Sequence, residues 1–197
     1  ELPGASSPDE LYRAVREKKD LLSRVPPDRW GVPQTDILGA VGESADRTFC
    51  DRGGYVEGFD ARFDPSGFAV SAESIMQYDR LFRWLLHVGR EAMRDAGIED
   101  GSRVGSIVGN LSFPAESLAR YGERLWLGDT LADAAELPNV APENCFMSGQ
   151  PAHLLARALG LGGGAFCLDA ACASSLVAIK LACDRLHARE VDSMLAG

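Results

Sequence analysis

The sequence LDAACASSLVAIK occupies residues 168–180 and follows three glycines and the short apolar run Ala165-Phe166-Cys167-Leu168. That run has the length of a buried strand. From Leu176 to Glu190 the chain contains no Gly or Pro, which predicts a helix. Cys172 therefore lies where a strand joins a helix. Unpaired N–H groups and the positive end of the helix dipole at such a join favour the thiolate, which is the nucleophilic form of cysteine.

The residues around Cys172 leave two interpretations open. The small neighbours Ala170, Ala171 and Ala173 give a substrate room to approach the sulfur, which favours an activated nucleophile. A cysteine among alanines is also common as a small core residue. The local pattern alone does not decide between them.

Composition and charge exclude several classes of function. The 197 residues suffice for one domain with its own core, and no linker divides them. The formal net charge of −9 argues against nucleic-acid binding, which needs basic patches. No apolar run approaches the length of a membrane span. Five cysteines without a Cys-x-x-Cys pair indicate free thiols in a reducing compartment, which favours a cytoplasmic protein. The three histidines are too far apart to show metal-ligand spacing, so we expect no metal.

Hydrophobic periodicity predicts an α/β protein with a mixed or parallel sheet between helical layers. The predicted helices cover about residues 6–18, 71–76, 79–96, 114–127, 147–159 and 176–190, and the predicted strands 103–110, 164–168 and 193–197. Residues 32–52 are weakly patterned and are expected to form a long loop. In the helix over 79–96, Leu81, Leu85 and Val88 mark a buried face. The helix over 176–190 is apolar on most sides, so we expect it to be buried all round.

The stretch Asp169–Ala178 resembles the nucleophile motif of β-ketoacyl synthases, the condensing enzymes of fatty-acid and polyketide assembly. Modular polyketide synthases usually have Thr at position 170 and Ser at 173, where this chain has Ala170 and Ala173. Further matching segments are Leu2–Ala5, Pro27–Trp30, Gly53–Tyr55, Phe59–Phe63 and Gly160–Gly163. The start of the helix near Asp79 departs from the modular pattern and is closer to single-domain bacterial ketosynthases and iterative synthases of polyunsaturated fatty acids.

The resemblance implies a thiolase-like fold, of which residues 1–197 would form the amino-terminal half. The opening strand before Glu1 and the carboxy-terminal half would then be absent. The strand over 164–168 would pair with its copy in a second protomer, which implies a homodimer. The whole protein would be a multidomain, multifunctional synthase of polyketides or fatty acids.

The resemblance also implies an acyltransferase activity and assigns one catalytic residue, Cys172. This nucleophile would carry the acyl chain as a thioester, and its backbone N–H would be one oxyanion donor. A malonyl unit would lose CO₂ and extend the chain by two carbons. The partner is an acyl carrier protein, whose phosphopantetheine carries the substrates, so no cofactor is bound directly. The family's two catalytic histidines and its lysine lie in the second half of the fold. We therefore expect residues 1–197 alone to catalyse no condensation.

Other reactive side chains have simpler interpretations. Cys167 and Cys183 are expected to be core thiols, while Cys50 and Cys145 receive no role. His187 lies about four turns along the helix from Cys172 and cannot reach its sulfur.

Polar groups near Cys172 are expected to serve the local structure. Ser174 and Ser175 lack a Gly-x-Ser-x-Gly elbow and are expected to bond N–H groups in the first turn of the helix. Asp169 is expected to accept a structural hydrogen bond, and Lys180 can pair with an acid four residues on. His153 is possible as a base in principle, although the family takes its histidines from elsewhere.

Two other functions remain open. Some relatives pair with an active ketosynthase and set chain length without a nucleophile, but the presence of Cys172 argues against that role. A thiolase or another acyltransferase would use the same cysteine, whereas the motifs around Trp30 and Phe59 favour the multidomain synthases.

Overall fold

A computed structural model describes residues 2–42 and 46–197. These residues form two compact units, one up to Arg62 and the other Phe63–Gly197. The helices are α1 Pro8–Arg16, α2 Gln34–Ile37, α3 Phe59–Arg62, α4 Ala72–Met76, α5 Arg80–Asp95, α6 Glu116–Leu127, α7 Asp129–Ala134, α8 Gln150–Leu159 and α9 Ser174–His187. The strands are β1 Ser23–Arg24, β2 Arg52–Gly53, β3 Val104–Gly109, β4 Ala165–Leu168 and β5 Ser193–Ala196. Single 3₁₀ turns cover Pro142–Asn144 and Ala171–Ala173.

The first unit contains the predicted amino-terminal helix. Ser7 caps α1, and its hydroxyl accepts a hydrogen bond from the Glu10 N–H at 3.2 Å. β1 and β2 pair antiparallel over two residues each, and both strands are too short to show an alternating pattern in the sequence. The expected loop over 32–52 contains α2 and the first residue of β2, and its residues 43–45 lie outside the described residues. Phe59 is fully buried.

The second unit is built on a parallel three-stranded sheet with the order β4-β3-β5. Ile107 of β3 packs against Ala178 and Ala182 of α9. Because successive side chains of a strand point to opposite faces, the neighbours of Ile107 face α8 on the other side, and α5 packs against α8. The sheet therefore lies between helical layers, and the predicted α/β class is confirmed.

The start of α5 is fixed by a buried carboxylate. Asp79 caps the helix by accepting the Leu81 N–H at 2.9 Å, and its other oxygen accepts the Ser117 N–H at 3.0 Å. The Asn144 amide oxygen accepts the Asp79 N–H at 2.8 Å. Two helix starts and one 3₁₀ turn are thus joined at one residue, which confirms the predicted start of α5 at its cap.

A second buried polar group holds the loop before α4 against α5. Arg90 donates to the carbonyl oxygens of Asp64 and Ser66 at 2.9 and 2.8 Å. Its guanidinium lies over the Phe68 ring, 4.5 Å from the centroid. Burial lowers the pKa of Arg90 from its ordinary value.

The packed face of α5 lies one step round the helix from the predicted one. The buried residues are Phe82, Leu86, Gly89, Arg90 and Met93. Leu81 and Val88 are instead partly exposed and line an apolar cleft of about 410 Å³ between α5 and the sheet. Phe82 and Trp84 widen the apolar surface of α5, so that periodicity alone could not select the face that is packed.

The expectation that the helix over 176–190 is buried all round was wrong. In α9 only Ser174, Ala178 and Ala182 are buried, whereas Leu176 is 70% exposed and Ile179 is 48% exposed. The sheet covers just one side of this helix, although its apolar residues extend round most of it.

Candidate active site

Cys172 lies in a 3₁₀ turn between β4 and α9. β4 ends at Leu168, the turn covers Ala171–Ala173, and α9 begins at Ser174. The predicted join of strand and helix is therefore confirmed, and Cys172 is exposed there. The three strands are parallel, so their carboxyl ends share one edge, which is where α/β folds commonly bind ligands.

The turn is held by two side chains that flank the cysteine. Asp169 Oδ1 accepts the Ala171 N–H at 2.9 Å, which is the structural hydrogen bond expected of this carboxylate. Ser174 Oγ accepts the Ala170 N–H at 3.0 Å and donates to the Ala171 carbonyl oxygen at 2.8 Å. Ser174 thus bonds the turn before α9, and the expectation that it would bond N–H groups in the first helical turn was wrong.

The backbone of this turn is strained at Ala171. Its φ is +50°, in the left-handed region that residues other than Gly rarely adopt. Such a conformation persists where neighbouring groups hold it. The hydrogen bonds from Asp169 and Ser174 supply that constraint on both sides of Ala171.

A small cleft of about 220 Å³ lies beside Cys172. One wall is Gly109, the last residue of β3. A Cβ atom at that position would lie 2.7 Å from the Cβ of Ser174, which is closer than real Cβ contacts come. Glycine at 109 therefore lets the turn pack directly against the strand.

Asn110 forms another wall of the cleft and was not singled out from the sequence. Its side-chain N–H donates to the Met147 carbonyl at 2.6 Å, and its Oδ1 accepts the Ser112 N–H at 3.0 Å. The bond to Met147 joins the end of β3 to the segment before α8, and the bond from Ser112 fixes the turn after the strand. The Gly-Asn pair at the end of the predicted strand is the available signal, but on its own it indicates only a turn.

The candidate bases do not lie at this cleft. Among the residues that line it in the described part of the chain, neither His153 nor His187 occurs. Lys180 pairs with Asp184 on the same helix, as predicted. No group of three or more His, Cys, Asp or Glu side chains within residues 2–42 and 46–197 is arranged to hold a metal ion.

The other cysteines differ in exposure. Cys167 is partly buried on β4, and burial raises the pKa of its thiol above the ordinary value. Cys183 is exposed on α9, so the expectation of a core thiol was wrong there. Cys50 is exposed and Cys145 is partly buried.

Comparison with known families identifies the family of the chain. A family model described as the N-terminal domain of beta-ketoacyl synthase matches residues 1–197. The chain belongs to the β-ketoacyl synthase family. The resemblance carried by the Cys172 motif is thereby confirmed.

Curated relatives of this chain include large polyketide synthases. A mycocerosic acid synthase-like polyketide synthase of Mycobacterium tuberculosis (strain ATCC 25618 / H37Rv) is 34% identical over 205 residues, covering 100% of this chain and 9% of the relative. A phthioceranic/hydroxyphthioceranic acid synthase of Mycobacterium bovis (strain BCG / Pasteur 1173P2) is 34% identical over 206 residues, covering 100% and 9%. The chain thus spans about a tenth of the length of these relatives.

Solved structures support the thiolase-like fold. The structure described as PfaC Keto synthase-Chain length factor superposes with a TM-score of 0.86 at 33% identity, covering 99% of this chain and 22% of that one. An oxazolomycin ketosynthase domain of Streptomyces albus JA3453 gives a TM-score of 0.69 at 21% identity, covering 96% and 31%. Since the second identity is low, that likeness concerns the fold alone. No helix within the described residues is both long and apolar enough to cross a membrane.

Proposed function

We propose that this ketosynthase extends acyl chains by decarboxylative Claisen condensation in polyketide or fatty acid biosynthesis. The observation that carries the proposal is the exposed Cys172, which lies on a braced turn at the carboxyl edge of the parallel sheet. A thiol on a fixed turn can be acylated without rearranging the fold. The substrates are thioesters on the phosphopantetheine of an acyl carrier protein, and no separate cofactor is required.

The first half-reaction loads the enzyme. The Cys172 thiolate attacks the carbonyl carbon of the acyl thioester, and the carbonyl oxygen becomes an oxyanion that the Cys172 N–H stabilises. The tetrahedral intermediate then collapses, expels the phosphopantetheine thiolate and leaves the acyl group on Cys172. The released thiolate takes up the proton that the cysteine lost.

The second half-reaction forms the carbon–carbon bond. A malonyl thioester on the carrier protein loses CO₂, and the electron pair of the broken bond remains on the α-carbon as an enolate. That carbon attacks the thioester on Cys172, and the cysteine thiolate leaves. The product is a β-ketoacyl chain on the carrier protein, two carbons longer than the loaded chain.

We further propose that residues 1–197 form the amino-terminal half of a ketosynthase domain and that condensation requires the other half. The chain covers 22% of the PfaC chain that it superposes on. Apolar side chains of α9, including Leu176 and Ile179, are exposed and suited to packing against a further layer. The missing half supplies the two histidines, the lysine and the second oxyanion donor, and the whole domain is a homodimer of a cytoplasmic, multifunctional synthase.

The test is intact-mass spectrometry after incubation with an acyl N-acetylcysteamine thioester. We expect one acyl adduct on the wild-type condensing domain and none on Cys172→Ala. The control is Cys183→Ala, which removes another exposed thiol of α9 and leaves the adduct in place. An adduct that persists in Cys172→Ala would refute the assignment of the nucleophile.

The same assay extends to condensation. Malonyl carrier protein added to the acylated domain is expected to yield a β-ketoacyl product, whereas the 197-residue chain yields none. A condensation product from the 197 residues alone contradicts the requirement for a second half.

The alternative is a non-condensing partner that sets chain length. The superposed PfaC structure is described as both a ketosynthase and a chain length factor, which is the observation that supports this alternative. Cys172 favours the condensing role, since a partner without chemistry needs no exposed nucleophile. A domain that folds but is never acylated would favour the partner, and acylation without use of malonyl carrier protein would favour a thiolase-like acyltransferase.

A further inference from the structure

We infer that Ser174 is a positioning residue that orients the backbone N–H of Cys172 for the acyl-transfer steps. The inference rests on the proposed function and concerns a residue that does not itself touch the reacting atoms. It starts from the position of Ser174, which is 8% exposed and lies two residues after the nucleophile. Its hydroxyl is fully used within the turn, because it accepts one backbone N–H and donates to one carbonyl.

The decisive geometry is that of one peptide group. The carbonyl of Ala171 and the N–H of Cys172 belong to the same planar trans peptide, so they point in opposite directions. The carbonyl oxygen of Ala171 accepts from the Ser174 hydroxyl at 2.8 Å and also from the Ser174 backbone N–H. Fixing that oxygen therefore fixes the direction of the Cys172 N–H, which points away from Ser174.

Without the bond from the Ser174 hydroxyl, backbone strain at Ala171 favours rotation of the peptide between Ala171 and Cys172. Ala171 has a φ of +50°, and an L-residue relaxes toward negative φ when nothing opposes it. Asp169 holds the peptide before Ala171 through its N–H, and Ser174 holds the peptide after it. Loss of the Ser174 hydroxyl leaves the peptide that carries the oxyanion donor held by one hydrogen bond, from the Ser174 backbone N–H, in place of two.

The test compares two reactions of the same sulfur in the whole condensing domain. Acylation by a hexanoyl N-acetylcysteamine thioester passes through an oxyanion, whereas alkylation by iodoacetamide displaces iodide and forms none. For Ser174→Ala we expect acylation of Cys172 to fall about 10- to 100-fold, as a misdirected oxyanion donor requires, while alkylation changes less than about threefold. Both rates are measured against pH by mass spectrometry, so that a change in the thiol's ionisation is distinguished from loss of the donor.

Ser106→Ala is the matched control. Ser106 is also a buried serine, but its hydroxyl has no hydrogen-bond partner among the residues that the structure describes. Both of its rates are expected to equal those of the wild type. A second variant, Ala171→Gly combined with Ser174→Ala, removes the strain because Gly adopts positive φ freely. It should recover thermal stability but not acylation, because Gly adopts negative φ as readily as positive φ and so leaves the direction of the Cys172 N–H unfixed.

Each outcome bears on the inference. Equal acylation rates of Ser174→Ala and wild type overturn the inference. It is also overturned if acylation and alkylation of Ser174→Ala fall in parallel and both recover in the double variant with Ala171→Gly, because a purely structural serine would give that pattern. A wild-type domain that is alkylated but never acylated overturns the proposed function and the inference together. That case is recognised because every variant is then equally unreactive toward the thioester.

Discussion

The close contact between β3 and the nucleophile turn makes Gly109→Ala the sharpest test of the site's construction. The new Cβ would lie 2.7 Å from the Cβ of Ser174, 3.2 Å from the Ser174 carbonyl carbon and 3.3 Å from the Gly197 oxygen. Ordinary contact begins at 3.4 Å, so moving the first pair from 2.7 to 3.4 Å displaces the turn by about 0.7 Å. Two of the three obstacles are backbone atoms, which cannot move aside as the end of a flexible side chain can.

The displacement sets both expected magnitudes. Overpacking of this kind costs about 1–3 kcal/mol of unfolding free energy. A shift approaching 1 Å at a reacting group lowers the rate up to about 100-fold, so we expect Cys172 acylation to fall by about 10- to 100-fold. Thermal unfolding and acylation kinetics of the whole domain measure the two effects.

The control is the same substitution at a glycine with free space. Gly122 lies within α6, and a Cβ there would meet nothing within 4 Å. Because Gly is a poor helix former, Gly122→Ala should stabilise the protein by about 0.5–1 kcal/mol and leave acylation unchanged. The two substitutions are therefore expected to change the free energy of unfolding in opposite directions. If Gly109→Ala proves as stable and as readily acylated as the wild type, the packing argument is refuted.

Two further predictions follow from buried groups. Arg90→Met leaves two backbone carbonyls without their charged donor and should lower the free energy of unfolding, measured by urea titration, by about 2–4 kcal/mol. The control Arg94→Met removes an exposed guanidinium and should change that free energy by less than about 0.5 kcal/mol. Equal effects of the two substitutions would contradict the role of the buried guanidinium. Burial shields the Cys167 thiol and raises its pKa, so iodoacetamide should label Cys167 more slowly than the exposed Cys183 near neutral pH, and the labelling rate of Cys167 should rise with pH. Peptide mapping measures both sites, and faster labelling of Cys167 would contradict the burial argument.

Local signals in the sequence predicted the elements that depend on local chemistry. The caps Ser7, Ser71 and Asp79 each accept a hydrogen bond from the first turn of the helix that they precede. The strand before the nucleophile and the helix after it were likewise predicted, because Gly-rich punctuation and an uninterrupted apolar run mark them. Cys172 could therefore be placed at a strand–helix join without coordinates.

Contacts between distant parts of the chain could not be predicted in the same way. Gly109 and Ser174 meet although 65 positions separate them, and nothing in either local pattern indicates the approach. The apolar residues of α9 predicted burial on most sides, yet which sides are covered depends on the elements that pack there. β1 and β2 have two residues each, which is shorter than any periodicity can show.

The alanines that left the role of Cys172 undecided in the sequence have a physical reason in the structure. Ala171 adopts a left-handed φ of +50°, which larger or branched side chains tolerate poorly. Gly109 lacks a side chain because the turn packs directly against it. Both constraints agree with the proposal that Cys172 is a nucleophile on a rigid, closely packed turn, whereas a cysteine that only fills a core requires neither. The small residues are therefore better explained by a nucleophile than by a core cysteine, and Gly109→Ala and Ser174→Ala test the two halves of that explanation separately.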